Sequence, residues 1–66
     1  MGLIQAIEEK NFRTGYKRIG YFYYWIAIHN VRPNVILVSK SRDWKDALEN
    51  CYFMVDKWSI ENLFYL

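Results

Sequence analysis

Two side chains in this sequence could do chemistry near neutral pH, and there is one of each: His29 and Cys51. One His and one Cys cannot by themselves supply a zinc site, so no metal or cofactor is expected. Cys51 has Ala47 and Val55 at i±4 and nothing basic to lower its pKa, so it reads as a buried small hydrophobe. His29 stands at the end of an apolar run with no carboxylate fixed beside it by sequence. A turn or edge histidine fits that position better than a general base. Gly15 and Gly20 have the spacing of a phosphate-binding loop, but Tyr21 and Phe22 occupy the positions that need Lys and Ser or Thr. With no nucleophile paired to a base, the chain is expected not to be an enzyme.

Two constellations point to binding instead. Arg18 with Tyr21, Tyr23 and Trp25 is similar to the stacking strand of single-strand nucleic-acid binders, where rings take bases and cations take phosphates. The glycine-aromatic order of an RRM core motif is absent. On this reading Arg13, Lys17 and Arg18 would hold the nucleic acid. The second constellation is Phe53, which falls on the polar side of a predicted helix among Asp46, Glu49 and Asp56. A ring ringed by carboxylates reads as an anchor offered to a protein partner, with a charged rim. The competing reading is that residues 63–66 fold back over it.

The elements that position these groups start from residues 21–28, an unbroken apolar run holding five of the thirteen aromatic residues. Its ring-bearing and β-branched side chains predict a strand. Residues 16–29 are expected to form one long central strand, with Gly20 as a bulge. Alternation sends Phe22, Tyr24, Ile26 and Ile28 to one face and Tyr21, Tyr23, Trp25 and Ala27 to the other. The more aliphatic face is expected to take a helix. That leaves Tyr21, Tyr23 and Trp25 as a self-association surface, and predicts a homo-oligomer. Residues 3–9 fit either a short helix or an edge strand, with the strand favoured, and residues 10–15 read as a turn. Residues 30–34, around Pro33, read as a second turn leading to a strand over 35–40 and an antiparallel hairpin. Ser41 and Asp43 offer caps for a helix over about 42–58. Its apolar stripe holds Trp44, Ala47, Leu48, Cys51, Met54, Val55 and Trp58. Residues 59–66 could be a short helix or a returning strand.

The fold class expected is α+β: an antiparallel sheet of two to four strands with one amphipathic helix on one face, in a single domain over 1–66. At 66 residues such a domain buries only about 60% of its unfolded surface. A lone cysteine rules out an internal disulfide, so an aromatic core, association with another chain, or both must supply stability. Charge is uneven. Residues 1–45 carry eight Lys or Arg against three acids, and residues 46–66 carry one against four. No basic leader or long apolar segment opens the sequence, and the longest apolar run is eight residues, so a cytoplasmic protein away from membranes is expected.

The order of hairpin, Ser41 as cap, and Trp44 with Ala47 opening a helix resembles small hairpin-plus-helix modules of phage and bacterial proteins, over residues 16–58. The two uncovered surfaces, the lack of catalytic groups and the uneven charge point to a non-enzymatic protein-binding module, and likeness in size and style to phage and mobile-element proteins implies an inhibitor that blocks a host defence or regulatory protein by occlusion. A nucleic-acid-binding regulator and a self-assembling structural subunit are the alternatives.

Overall fold

The structure is a computed structural model that describes residues 2–63. It is an α+β fold: a three-stranded antiparallel open sheet in the order β1-β2-β3, with two helices. The chain begins with a helix, α1 (Leu3–Glu9), where a strand is expected. Leu3, Ala6 and Ile7 fall at helical spacing, and burying Ile7 completely against the core supports a seven-residue helix that would not persist alone. The helix closes on Asn11, whose amide donates to the Glu8 carbonyl at 3.0 Å and whose φ is 70°. Asparagine tolerates that left-handed conformation.

The expected single strand over residues 16–29 is two strands. β1 (Phe12–Ile19) and β2 (Phe22–His29) pair from Phe12↔His29 to Ile19↔Phe22, so Gly20 and Tyr21 are the two-residue loop of a tight hairpin. Gly20 has φ 60° and Tyr21 does not have positive φ, the pattern of a type II′ turn with glycine in first place. Residues 12–15, expected in a turn, are therefore strand. The second hairpin is as expected. Residues 30–35 connect β2 to β3 (Ile36–Ser41), closed by the His29 amide donating to the Val35 carbonyl at 3.1 Å.

The long helix α2 (Trp44–Glu61) packs across β2 and β3 and also meets α1. Asp43 is the cap in use, its carboxylate accepting from the Lys45 amide at 2.9 Å. Ala47, Leu48, Cys51 and Val55 are buried as the stripe predicts, and the stripe continues one turn further to Ser59. Trp44 departs from it. As the first residue of the helix it overhangs the sheet and stays 46% exposed.

The helix lies on the face opposite to the one expected. Trp25, Ala27 and His29 are buried under it, at 5%, 0% and 0% exposure. Two features decide this. Ala27, its partner Thr14 and, diagonally across on β3, Ser39 are small enough to let a helix axis approach, and register puts Arg13, Lys17 and Lys40 on the other face with Tyr24, Ile26 and Ile28. A face carrying three cations cannot be the one that is dried out. The directly opposed pair Trp25 and Ser39 fastens the first turns of α2. The Trp25 Nε1–H donates to the Trp44 carbonyl at 3.0 Å, and the Ser39 hydroxyl donates to the Ala47 carbonyl.

Candidate binding site

At the hairpin end of the molecule α1 no longer covers β1, and α2 has only just begun. The helix-side face of the sheet is open there. Tyr16, Tyr23, Trp25 and Trp44 line a cavity of about 380 Å³. Trp25 lies 5.1 Å from Tyr16, ring centroid to centroid, tilted by 33°. Its polar edge is turned onto the Trp44 carbonyl, so it offers the cavity only π surface. Tyr16 is 63% exposed, more than an aromatic ring needs to be if its task were packing alone. Two cations stand over these rings. Arg18 lies 5.8 Å from the Tyr23 centroid, with its Nε–H donated to the Gly20 carbonyl at 3.2 Å, and Lys45 lies 5.9 Å from Trp44.

The other face of the sheet has no described element over it. Its centre is Tyr24, Ile26 and Ile28 on β2 with Ile36 and Val38 on β3, and Ile19 and Phe22 close the hairpin end. Ile19, Ile36 and Val38 are exposed. Around this apolar ground stand Arg13, Lys17 and Lys40, with Lys40 Nζ 4.3 Å and Arg42 Cζ 5.7 Å from the Phe22 ring centroid. No acid occurs anywhere between residues 10 and 42.

The residues singled out in the sequence are thus divided. Tyr21, Tyr23 and Trp25 do not form a shared free surface: Trp25 is core, Tyr23 is half-buried against it, and Tyr21 is 80% exposed in the turn. The reason is again the reversal of faces. Arg18 shares the aromatic end with Tyr23 and Trp25, while Arg13 and Lys17 lie on the opposite face, so the three basic residues do not make one patch. On α2, Asp46, Glu49 and Phe53 are exposed, Phe53 at 61%, while Asp56 is half-buried and paired to Lys10 at 3.2 Å. Leu63 is exposed; the rest of the tail expected to cover Phe53, residues 64–66, lies outside the described residues.

Neither reactive side chain faces a site. His29 is fully buried, and its Nδ1 accepts from the amides of Val31 at 3.2 Å and Arg32 at 3.0 Å. An accepting Nδ1 places the ring proton on Nε2, and the imidazole pins the turn before β3 while packing 5.0 Å from both Phe12 and Trp58. Cys51 is buried in the core, and burial pushes its thiol up to about 11. Among the described residues no three His, Cys, Asp or Glu side chains gather as metal ligands, and no helix is long and apolar enough to cross a membrane. Sequence reasoning took Trp44 for core and gave Tyr16 and Val38 no site role, because their placement needs the strand register; for Tyr16 the signal available was Gly20 at the centre of Ile19-Gly20-Tyr21-Phe22.

Comparison of the chain with protein-family models, with curated proteins and with solved structures finds no match.

Proposed function

We propose that this chain is a non-enzymatic protein-binding module, and that it acts by laying the uncovered face of its sheet over an acidic surface of another protein. The observation that carries this reading is the composition of that face: β-branched aliphatic residues with Tyr24 and Phe22 at the centre, cations at the rim, and no carboxylate. A protein interface has this anatomy, with a desolvated apolar centre and a polar margin that steers the partner. A folded chain seldom leaves so much contiguous apolar surface without use for it. Nucleic acid suits this face less well, since its exposed apolar side chains, Ile19, Ile36 and Val38, offer no ring to a base, and the Phe22 and Tyr24 rings are half-buried, with Lys40 already over Phe22. A second copy suits it less well too. Two such faces brought together by a two-fold axis would set Arg13, Lys17 and Lys40 against one another with nothing to answer them.

The reading is tested with the double charge reversal Lys17→Glu, Lys40→Glu. Both side chains are exposed, so the melt should move little. In capture experiments on nuclease-treated extract of the source cells, the partner retained by the wild-type chain should be lost by the variant, and its retention should weaken as salt rises. A partner held equally by both chains, or none held at low salt, would refute the reading.

A further inference from the structure

We infer that the aromatic cavity beside the first turn of α2 is a second site, separate from the uncovered sheet face, and that it takes a nucleotide: the base on the rings, the phosphate on Arg18 and Lys45. The cavity's volume of about 380 Å³ lies within the range of small-ligand sites, roughly 300–1,000 Å³. Four rings converge on it, and two of them, Tyr16 and Trp44, stay 63% and 46% exposed, more than a purely packing role needs. Rings of this kind bind either a cation or a flat π system. The charges decide between them. Arg18 and Lys45 already stand over Tyr23 and Trp44, and no carboxylate lines the cavity. Asp43 keeps its charge but lies outside the lining, at the cap of α2, where it accepts from the Lys45 amide. A cationic ligand would therefore meet two like charges at the rings and no carboxylate within the cavity. A planar base carrying a phosphate meets π faces at its centre and cations at its margin.

The guanidinium of Arg18 is also preorganised for this task. Its Nε is held by the Gly20 carbonyl of the hairpin turn, which fixes the plane of the group and leaves the Nη edge for an anion. The same chemistry is offered by a free mononucleotide and by one unit of a single strand, and the two are told apart by experiment. An acidic peptide with an aromatic side chain is less well matched, because four ring faces converge on one place, more than a single side-chain ring can use.

The test uses the full chain at about 50 mM salt. Tryptophan fluorescence is followed during titration with AMP, with an oligothymidylate of about ten nucleotides, with a duplex of the same length, and with a glutamate-tyrosine copolymer. Saturable binding is expected, with AMP binding alone marking a mononucleotide site and oligothymidylate binding far more tightly than AMP marking a single-strand site. Tyr16→Ala and Trp44→Ala should each weaken binding by about tenfold, the loss of one stacking partner. Arg18→Gln with Lys45→Gln, which removes no packed group, should do the same and flatten the salt dependence. The inference is overturned by a duplex that binds as tightly as the single strand, by a copolymer that binds more tightly than either nucleotide, by no binding at low salt, or by affinity unchanged in these variants. Lys17→Glu with Lys40→Glu should leave AMP binding intact, so failure of this site and failure of the sheet-face reading give different results.

Discussion

Replacing Trp25 by Phe tests which face of the sheet the helix covers. The indole is 5% exposed, and its Nε1–H is donated to the Trp44 carbonyl at 3.0 Å. Losing that bond costs about 1 kcal/mol. Losing part of the ring leaves a space between Tyr16 and α2; as a fraction of the roughly 3–5 kcal/mol for complete truncation of a buried aromatic, this is about 1–2 kcal/mol. The sum is about 2–3 kcal/mol, out of a total stability of roughly 3–10 kcal/mol for a chain of this size. At about 4–8 °C per kcal/mol for a small domain, the melting midpoint should fall by roughly 10–20 °C. Ile26→Val on the uncovered face is the control, since it removes one methylene from a half-exposed side chain and should cost less than about 0.5 kcal/mol. Thermal melts by circular dichroism at matched concentration, with urea titrations to give the free energies, provide the comparison. If Trp25→Phe costs no more than Ile26→Val, the helix does not lie over Trp25 and the assignment of faces is wrong.

Trp44 and Trp58 share a helical stripe but not a fate. Trp58→Ala should cost about 3 kcal/mol or more, because the ring packs at 5.4 Å edge-on to Phe12 and at 5.0 Å from His29. Trp44→Ala should cost roughly half as much, its ring being 46% exposed, and equal losses in urea titrations would refute this placement. Cys51 has a folded pKa raised by burial from 9.0 to about 11, so its contribution to stability is fully present below pH 9 and fades as pH climbs toward 11. Between those values the wild-type melt should drop by more than that of Cys51→Ala, whose tyrosines and lysines titrate alike; parallel curves would contradict it. Phe53→Ala should shift the melt by less than about 0.5 kcal/mol, since the ring is 61% exposed. A larger loss of stability would mean that another segment covers the ring, and weakened capture of the partner by this variant would extend the interface to α2.

The helix α2 and the second hairpin were legible because their signals are local: an apolar stripe at steps of three and four, a capping Asp43, and Pro33 between two asparagines. The first hairpin was harder to see. The aromatic run of β2 draws attention to itself; residues 12–15, with Arg13, Thr14 and Gly15, read as turn until a partner strand is supplied, and residues 16–19 read as a continuation of β2 across Gly20. Missing that hairpin hid the decisive constraint. Once Ile19 is set opposite Phe22, Arg13 and Lys17 fall on the same face as Ile28 and Tyr24, and the helix must go to the other side. The choice of face by aliphatic content therefore erred where charge across the strand pair, and the small size of Ala27 and Ser39, were the governing terms. For α1, seven residues are too few for periodicity to separate helix from strand. The aromatic cavity was half legible. Arg18, Tyr21, Tyr23 and Trp25 are grouped in the sequence by their likeness to a stacking strand; the hairpin register sets Arg18 opposite Tyr23, and Tyr16 and Trp44 join only through pairing and the start of α2.

An open three-stranded sheet has two bare margins, and here both belong to strands next to the same central one. β1 is the longer margin, eight residues with unpaired amides and carbonyls along one side, a template on which any extended chain could grow. Arg13, Lys17 and Arg18 interrupt it, and no acid on β1 or β3 can pair with them in a neighbouring copy. Each added molecule would therefore have to bring like charges to within strand spacing, about 4.8 Å, well inside the ~8 Å screening distance at physiological salt. The cations proposed to steer a partner would thus also act as gatekeepers against pairing of these edges between copies. Their protection is electrostatic and can be removed by the solvent: concentrated salt shortens the screening distance below the strand spacing, and a polyanion threaded along β1 would cancel the charge outright. Storage at low ionic strength keeps these molecules apart, and conditions chosen to suppress weak binding bring them closest to stacking edge on edge.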